Sequence, residues 1–223
     1  MGHSMKPNPK TVLLTAATAA SLALATSRLI ADPLVHYDQK PGSKLRLEGT
    51  SVIHDYAAES KLIHGFLEVG SNFPTEPGKT VALGKVEATG QASVAVRQLY
   101  SGDDKLDEKM WGMLKMDKFP MIVFHIKELA LKEPAKDTNS PYVFDASGDL
   151  EVAGVTNKIS MPVNVFLLPD KKLKITGTKP LKMTDFGIEP AKLILPQFKT
   201  SDDVTIKFEW ILGPRKPAAP AAK

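Results

Sequence analysis

Asp185-Phe186-Gly187 is the tripeptide in this chain that most readily suggests chemistry, because protein kinases use that motif to hold a metal ion beside phosphates. Such chemistry also needs a glycine-rich loop, a strand lysine and an HRD-type catalytic loop, and none accompanies it. The tripeptide therefore reads as a turn, with Gly187 at positive φ and Phe186 packed under a β-structure or at its mouth. The histidines are His3, His36, His54, His64 and His125, and they form neither an HExxH nor a His-x-His pair. His54 beside Asp55 is the nearest approach to a polar constellation, and hydrogen bonding within a loop or strand is its simpler role. No GxSxG elbow is present. Asp103, Asp104, Asp107 and Glu108 cluster at a helix start, where the helix dipole already gives acids a structural use. With no cysteine, disulfides, thiolate zinc sites and cysteine nucleophiles are excluded. The expectation is a protein that is not an enzyme, with no catalytic residue, no metal and no cofactor.

The elements that would position any site must come from 223 residues, which suit one sizeable domain plus tails. Of the net charge of +4, half belongs to Lys6 and Lys10, ahead of any acid. The remainder is near neutral and lacks the basic stripe of a general nucleic-acid binder, so no nucleic-acid partner is expected. After Lys6 and Lys10 comes an apolar run from Val12 to Ala25 that ends in Ala23-Leu24-Ala25. This is the layout of a secretory signal, with cleavage after Ala25 or Ala31, and the run is short for a membrane span. A periplasmic or secreted protein is expected.

Beyond the signal (1–25), residues 26–43 read as an extended lead-in, marked by Pro33 and Pro41. Strands follow by their period of two. They start at Leu45 and Leu47, continue through Leu62 to Val69, and include a long alternating run from Lys85 to Leu99 whose inward set is mostly small. Small inward residues either leave a cavity or accommodate bulky neighbours, and both readings stand. One helix is expected after Ser101-Gly102-Asp103-Asp104, with Leu106, Met110, Met113 and Leu114 at helical spacing and an end before Phe119-Pro120. Met121 to Leu131 alternates again. Tyr142 to Pro162 then forms the clearest hairpin, with Tyr142, Phe144, Ala146, Gly148, Leu150 and Val152 on one face. Further strands run through Leu173–Gly177 and Val204–Trp210, and residues 213–223 read as a disordered tail. Alternating strands with short turns point to an antiparallel sandwich or barrel. Closure into a barrel removes the exposed edge that the apolar last strand would otherwise present.

Four passages in order resemble the YceI-like family of lipid- and polyisoprenoid-binding proteins. They are Val94 to Gly102, the helix running into Lys115–Phe124, Gly148-Asp149-Leu150 with Gly154–Lys158 and Met161-Pro162-Val163, and Thr184–Ile188 with Asp203–Ile206. The stretch Gly49–Tyr56 departs from the commonest form, which carries an aspartate and a histidine-serine pair there. The resemblance covers most of residues 44–212 and implies a closed, eight-stranded, antiparallel lipocalin-like β-barrel with one α-helix. It also implies a long isoprenoid or other lipid inside the barrel.

On that footing the expected function is sequestration or carriage of a polyisoprenoid, such as a quinone or polyprenyl phosphate, with transient membrane contact. Candidate wall residues are Trp111, Met113, Met116, Phe124, Phe144, Val163, Val165, Phe186, Ile206 and Phe208, together with Trp210. Methionines on the helix suit a lid over a flexible chain. Lys115, Lys118 and Lys158 are candidates to hold a head group. Two rival readings stay open: an isoprenoid- or quinone-directed enzyme using His54, Asp55 and Tyr56, and a protein-binding barrel with no internal ligand. Oligomeric state is open, with a homodimer as one candidate.

Overall fold

The strands of this computed structural model are β1 (Val35–Gln39), β2 (Lys44–Ser51), β3 (Tyr56–Ser60), β4 (His64–Val69), β5 (Gly84–Val86) and β6 (Ala88–Ala95). After helix α1 (Asp104–Met113) come β7 (Met121–Glu133), β8 (Tyr142–Val152), β9 (Val155–Leu167), β10 (Leu173–Lys182) and β11 (Thr200–Pro214). The structure describes residues 1–2, 34–51, 55–190 and 200–215. All but the first two residues of the expected signal segment, His54 and most of the expected tail lie outside them.

Every pairing is antiparallel. The order β1-β4-β6-β7-β8-β9-β10-β11 returns on itself because β11 also pairs with β1, through Tyr37↔Pro214, Asp38↔Gly213 and Gln39↔Leu212. Strand β2 prolongs β1 beyond a turn at residues 40–43, and both lie along β11; β3 prolongs β4 in the same way. The result is a closed eight-stranded antiparallel barrel with one α-helix among the described residues, as expected from the sequence.

Three details differ from that expectation. Val35–Gln39, assigned to the lead-in, is the strand that closes the barrel. Its two-sided polar composition hides it, and the open edges of β4 and β11 recruit it by main-chain hydrogen bonding. Gly213 and Pro214, assigned to the tail, end β11, and Arg215 follows with its N–H donating to the His36 carbonyl at 2.8 Å. The run from Lys85 to Leu99 is interrupted: β5 and β6 break at Glu87, and Val96–Gln98 is a 3-10 turn. Its small inward residues serve both purposes, since Gly90 meets the Phe66 carbonyl closely and Ala92 faces a cavity.

The β8–β9 hairpin is as regular as its alternation suggests, with each even residue from Tyr142 to Val152 buried. Ala153 and Gly154 form the two-residue turn, both at positive φ (51° and 82°), which is what a type I′ connection requires. The ring of Phe119 covers Gly154 so closely that a Cβ there would lie 2.3 Å from it.

Tyr37, Phe73, Phe144, Leu131, Leu173 and Leu212 are fully buried and, by register, gather at one end of the barrel. Phe73, from the loop between β4 and β5, stacks on Phe144 with centroids 5.5 Å apart. Burying each ring contributes roughly 1.5–3 kcal/mol, and the stack adds about 0.5–1.5 kcal/mol. This end is a packed floor.

Helix α1 stands between β6 and β7. Asp103 caps it, accepting from Lys105 N–H at 2.9 Å and Leu106 N–H at 3.1 Å. Asp107 is buried, and it accepts from both the N–H and the hydroxyl of Ser101 at 2.7 Å. The acidic cluster thus secures the helix start. Helical geometry ends at Met113, and turns carry the chain on to Phe119.

Candidate ligand cavity

Above the floor the inward side chains shorten or part, leaving a cavity of about 350 Å³. That is within the range of roughly 300–1,000 Å³ for small-molecule sites. Its walls follow from strand alternation: Ala146, Leu150 and Val152 from β8, Ile159, Met161, Val163 and Val165 from β9, and Val204, Ile206, Phe208 and Trp210 from β11. Leu106, Met110 and Met113 of α1 form the cover, with Leu114 beside them. Ser51, Tyr56, Ser93, Ser101, Thr200, Lys109, Lys179 and Lys182 supply the polar groups of the lining. No Asp or Glu belongs to the lining among the described residues.

The barrel wall splits beside this cavity for a covalent reason. Strands β9 and β10 pair from Leu173↔Leu167 to Gly177↔Val163 and no further. Pro162 and Pro180 follow on the facing strands, and neither has an N–H to continue the ladder. Lys179 reaches into the gap, where its Nζ donates to the main-chain carbonyl of Ser160 at 2.9 Å. The Asp-Phe-Gly turn lies close by. Thr184 donates through its N–H and hydroxyl to Asp202 at 2.9 and 2.7 Å, and Asn157 Nδ2 donates to the Asp185 carbonyl at 2.7 Å. The Thr184 hydroxyl bond leads in holding the Asp202 carboxyl below its usual range. Phe186 is buried on the cavity wall, and Gly187 is left-handed at φ 63°. The motif is a structural turn.

Of the wall residues expected from the sequence, Met113, Phe124, Val163, Val165, Phe186, Ile206, Phe208 and Trp210 line the cavity. Three lie elsewhere. Trp111 packs edge-on against Tyr100 and donates from Nε1 to the Leu99 carbonyl at 3.1 Å. Met116 backs the core from the turn after α1. Phe144 belongs to the floor, because the Phe73 loop fills the barrel end that it faces. Lys115, Lys118 and Lys158 are exposed and do not line the cavity, and the lysines that do are Lys109, Lys179 and Lys182. A signal for Lys179 existed: it breaks the odd-numbered series Leu173, Ile175, Gly177, Leu181. Pro180 concealed that signal by marking an apparent end to the strand.

The remaining polar groups do not converge on the cavity. Asp55 lies in an outer groove, with Arg46, Glu48 and Glu59. Tyr56 borders both groove and cavity, and burial pushes its hydroxyl pKa up. His36 sits between Glu68 (2.8 Å) and Asp38 (3.1 Å) and stacks on Phe66. The Gln39 amide donates to His64 Nδ1 at 3.3 Å. No cluster of three or more His, Asp or Glu side chains able to hold a metal occurs among the described residues.

Two solved structures share the fold. BcnA of Burkholderia cenocepacia is 18% identical, with 76% of this chain and 95% of that one covered at a TM-score of 0.58. A polyisoprenoid binding domain from Saccharophagus degradans, implicated in plant cell wall breakdown, is 14% identical, with 81% and 99% covered at a TM-score of 0.58. Among curated proteins no match is found. The family model for the YceI-like domain matches residues 48–212, from the middle of β2 to Leu212 near the end of β11. This span contains the cavity lining apart from Leu45 and Leu47, together with the helical cover, and the chain belongs to the YceI-like domain family.

Proposed function

We propose that this protein binds a long apolar molecule, a polyisoprenoid or a lipid of similar form, and sequesters or carries it as a periplasmic or secreted protein. One observation carries the ligand class: the cavity under α1 is walled almost wholly by hydrocarbon, with polar groups confined to a few positions. Each methylene buried there contributes about 0.8 kcal/mol, so a chain of many carbons binds firmly without a dense set of hydrogen bonds. The relative from Saccharophagus degradans, described as a polyisoprenoid binding domain, supports the same ligand class. The location rests on Lys6, Lys10 and the apolar run that follows them.

The reading is of a carrier and not an enzyme. Among the described residues, Tyr56 is the one member of the His54-Asp55-Tyr56 group that lines the cavity, and the described lining holds no carboxylate or histidine for acid–base work. Native mass spectrometry and organic extraction of protein purified from a bacterial host test the proposal. A co-purifying prenyl lipid, or saturable binding of added prenyl lipids, is the expected result. Ligand-free protein that also fails to take up added prenyl lipids overturns it.

A further inference from the structure

Resting on the lipid-binding reading above, we propose that the cavity selects an amphiphile with an anionic, phosphate-type head group, held at the gap between β9 and β10 by Lys179, with Lys109 of the helical cover as a second cation. A neutral head group, such as that of a quinone or a prenyl alcohol, is then the weaker class.

Lys179 occupies an inward position on β10, in a series otherwise apolar and small. Its side chain is half-buried at the gap between β9 and β10, and its one hydrogen bond among the described residues goes to the Ser160 carbonyl. That neutral acceptor takes one of three ammonium protons and leaves the charge uncompensated. A partly desolvated ammonium beside a hydrocarbon wall favours an anion more strongly than one in open water, because the low-dielectric wall focuses its field.

The other charged groups point the same way. The lining holds three lysines and no acid among the described residues. Lys182 is matched by Asp203 at 3.2 Å and Asp202 at 3.9 Å. Lys109 and Lys179 have no acidic partner among the described residues. One borders the cavity from the helical cover and the other from the barrel wall. Lysine acts as a point charge toward phosphate and accepts varied approach geometries, which suits the end of a flexible tail.

The test compares geranylgeranyl phosphate with geranylgeraniol, which share one tail, on the full-length protein at low and high salt. The phosphate is expected to bind about tenfold or more tighter, the scale of a charge-assisted hydrogen bond. Raising the salt should shrink that ratio while leaving the alcohol's affinity in place. Lys179→Met should carry the ratio toward unity with alcohol binding retained, and Lys179→Arg should preserve the preference. Equal affinities for the two ligands in the unaltered protein overturn the proposal, as does a ratio unmoved in the Lys109→Met/Lys179→Met double variant. Displacement of the prenyl phosphate by an equal concentration of inorganic phosphate would assign a free-anion site and overturn it as well. Failure of both prenyl ligands to bind is a different result, which defeats the lipid-binding reading itself.

Discussion

Arg215 donates two hydrogen bonds to Asp38, at 3.1 and 2.8 Å, across the β1–β11 seam that closes the barrel. The guanidinium hydrogen bond, followed by that of His36, holds the Asp38 carboxyl at about 2. A depressed carboxylate pKa stabilises the fold above the unfolded value and loses that contribution as pH falls through the folded one. Acid denaturation monitored by circular dichroism should therefore show a component between about pH 4 and 2 that Asp38→Asn removes. Both side chains are substantially exposed, so at neutral pH Arg215→Ala should leave the unfolding midpoint almost unchanged.

Gly154 combines a left-handed φ with a ring of Phe119 where a side chain would begin. Gly154→Val is expected to destabilise by about 2–4 kcal/mol, from backbone strain and forced movement of Phe119. Urea unfolding measures it, and an unchanged midpoint would contradict the geometry. Ala153→Gly, which relieves the neighbouring positive φ, should be neutral or mildly stabilising.

Asp103→Ala removes the acceptor for two helix N–H groups and should cost about 1 kcal/mol. Because α1 covers the cavity, the loss should show first as faster amide exchange in residues 104–113, and only then in global unfolding.

The two tryptophans report on different places. Trp210 lines the cavity, and its buried Nε1 has no hydrogen-bond partner among the described residues. Trp111 lies outside, held by the Leu99 carbonyl. Occupation of the cavity should shift or quench fluorescence in Trp111→Phe as it does in the unaltered protein, and Trp210→Phe should abolish the response. A response carried by Trp111 would place the ligand elsewhere.

Ala146 is a small, buried wall residue midway along β8. Ala146→Phe should fill part of the cavity and reduce affinity for a C20 prenyl chain at least tenfold, at a stability cost within about 1–3 kcal/mol. Calorimetric titration together with thermal unfolding separates lost capacity from lost fold.

Period-two alternation settled from sequence alone which faces of β8, β9 and β11 turn inward, because a buried face resists a slip of one residue; in β7 it held only to Ile126, after which a bulge turns Leu129 and Leu131 inward. The capping acids settled where α1 begins, since the first turn's N–H groups need acceptors close in sequence. Most of the cavity wall was legible for the same reason: in these strands, inward and apolar coincide. The exceptions depend on contacts far apart in the chain. Phe144 becomes floor because the Phe73 loop folds onto it. Val35–Gln39 becomes a strand because β4 and β11 leave edges for it. Pro180 reads in one dimension as a strand end. In three dimensions it faces the β9 edge carrying Pro162, opens the wall after Gly177, and lets β10 run on to turn Lys179 inward. The alternation of a single segment specifies its own two faces. Which strand lies opposite, and where that pairing stops, is decided only when both edges meet.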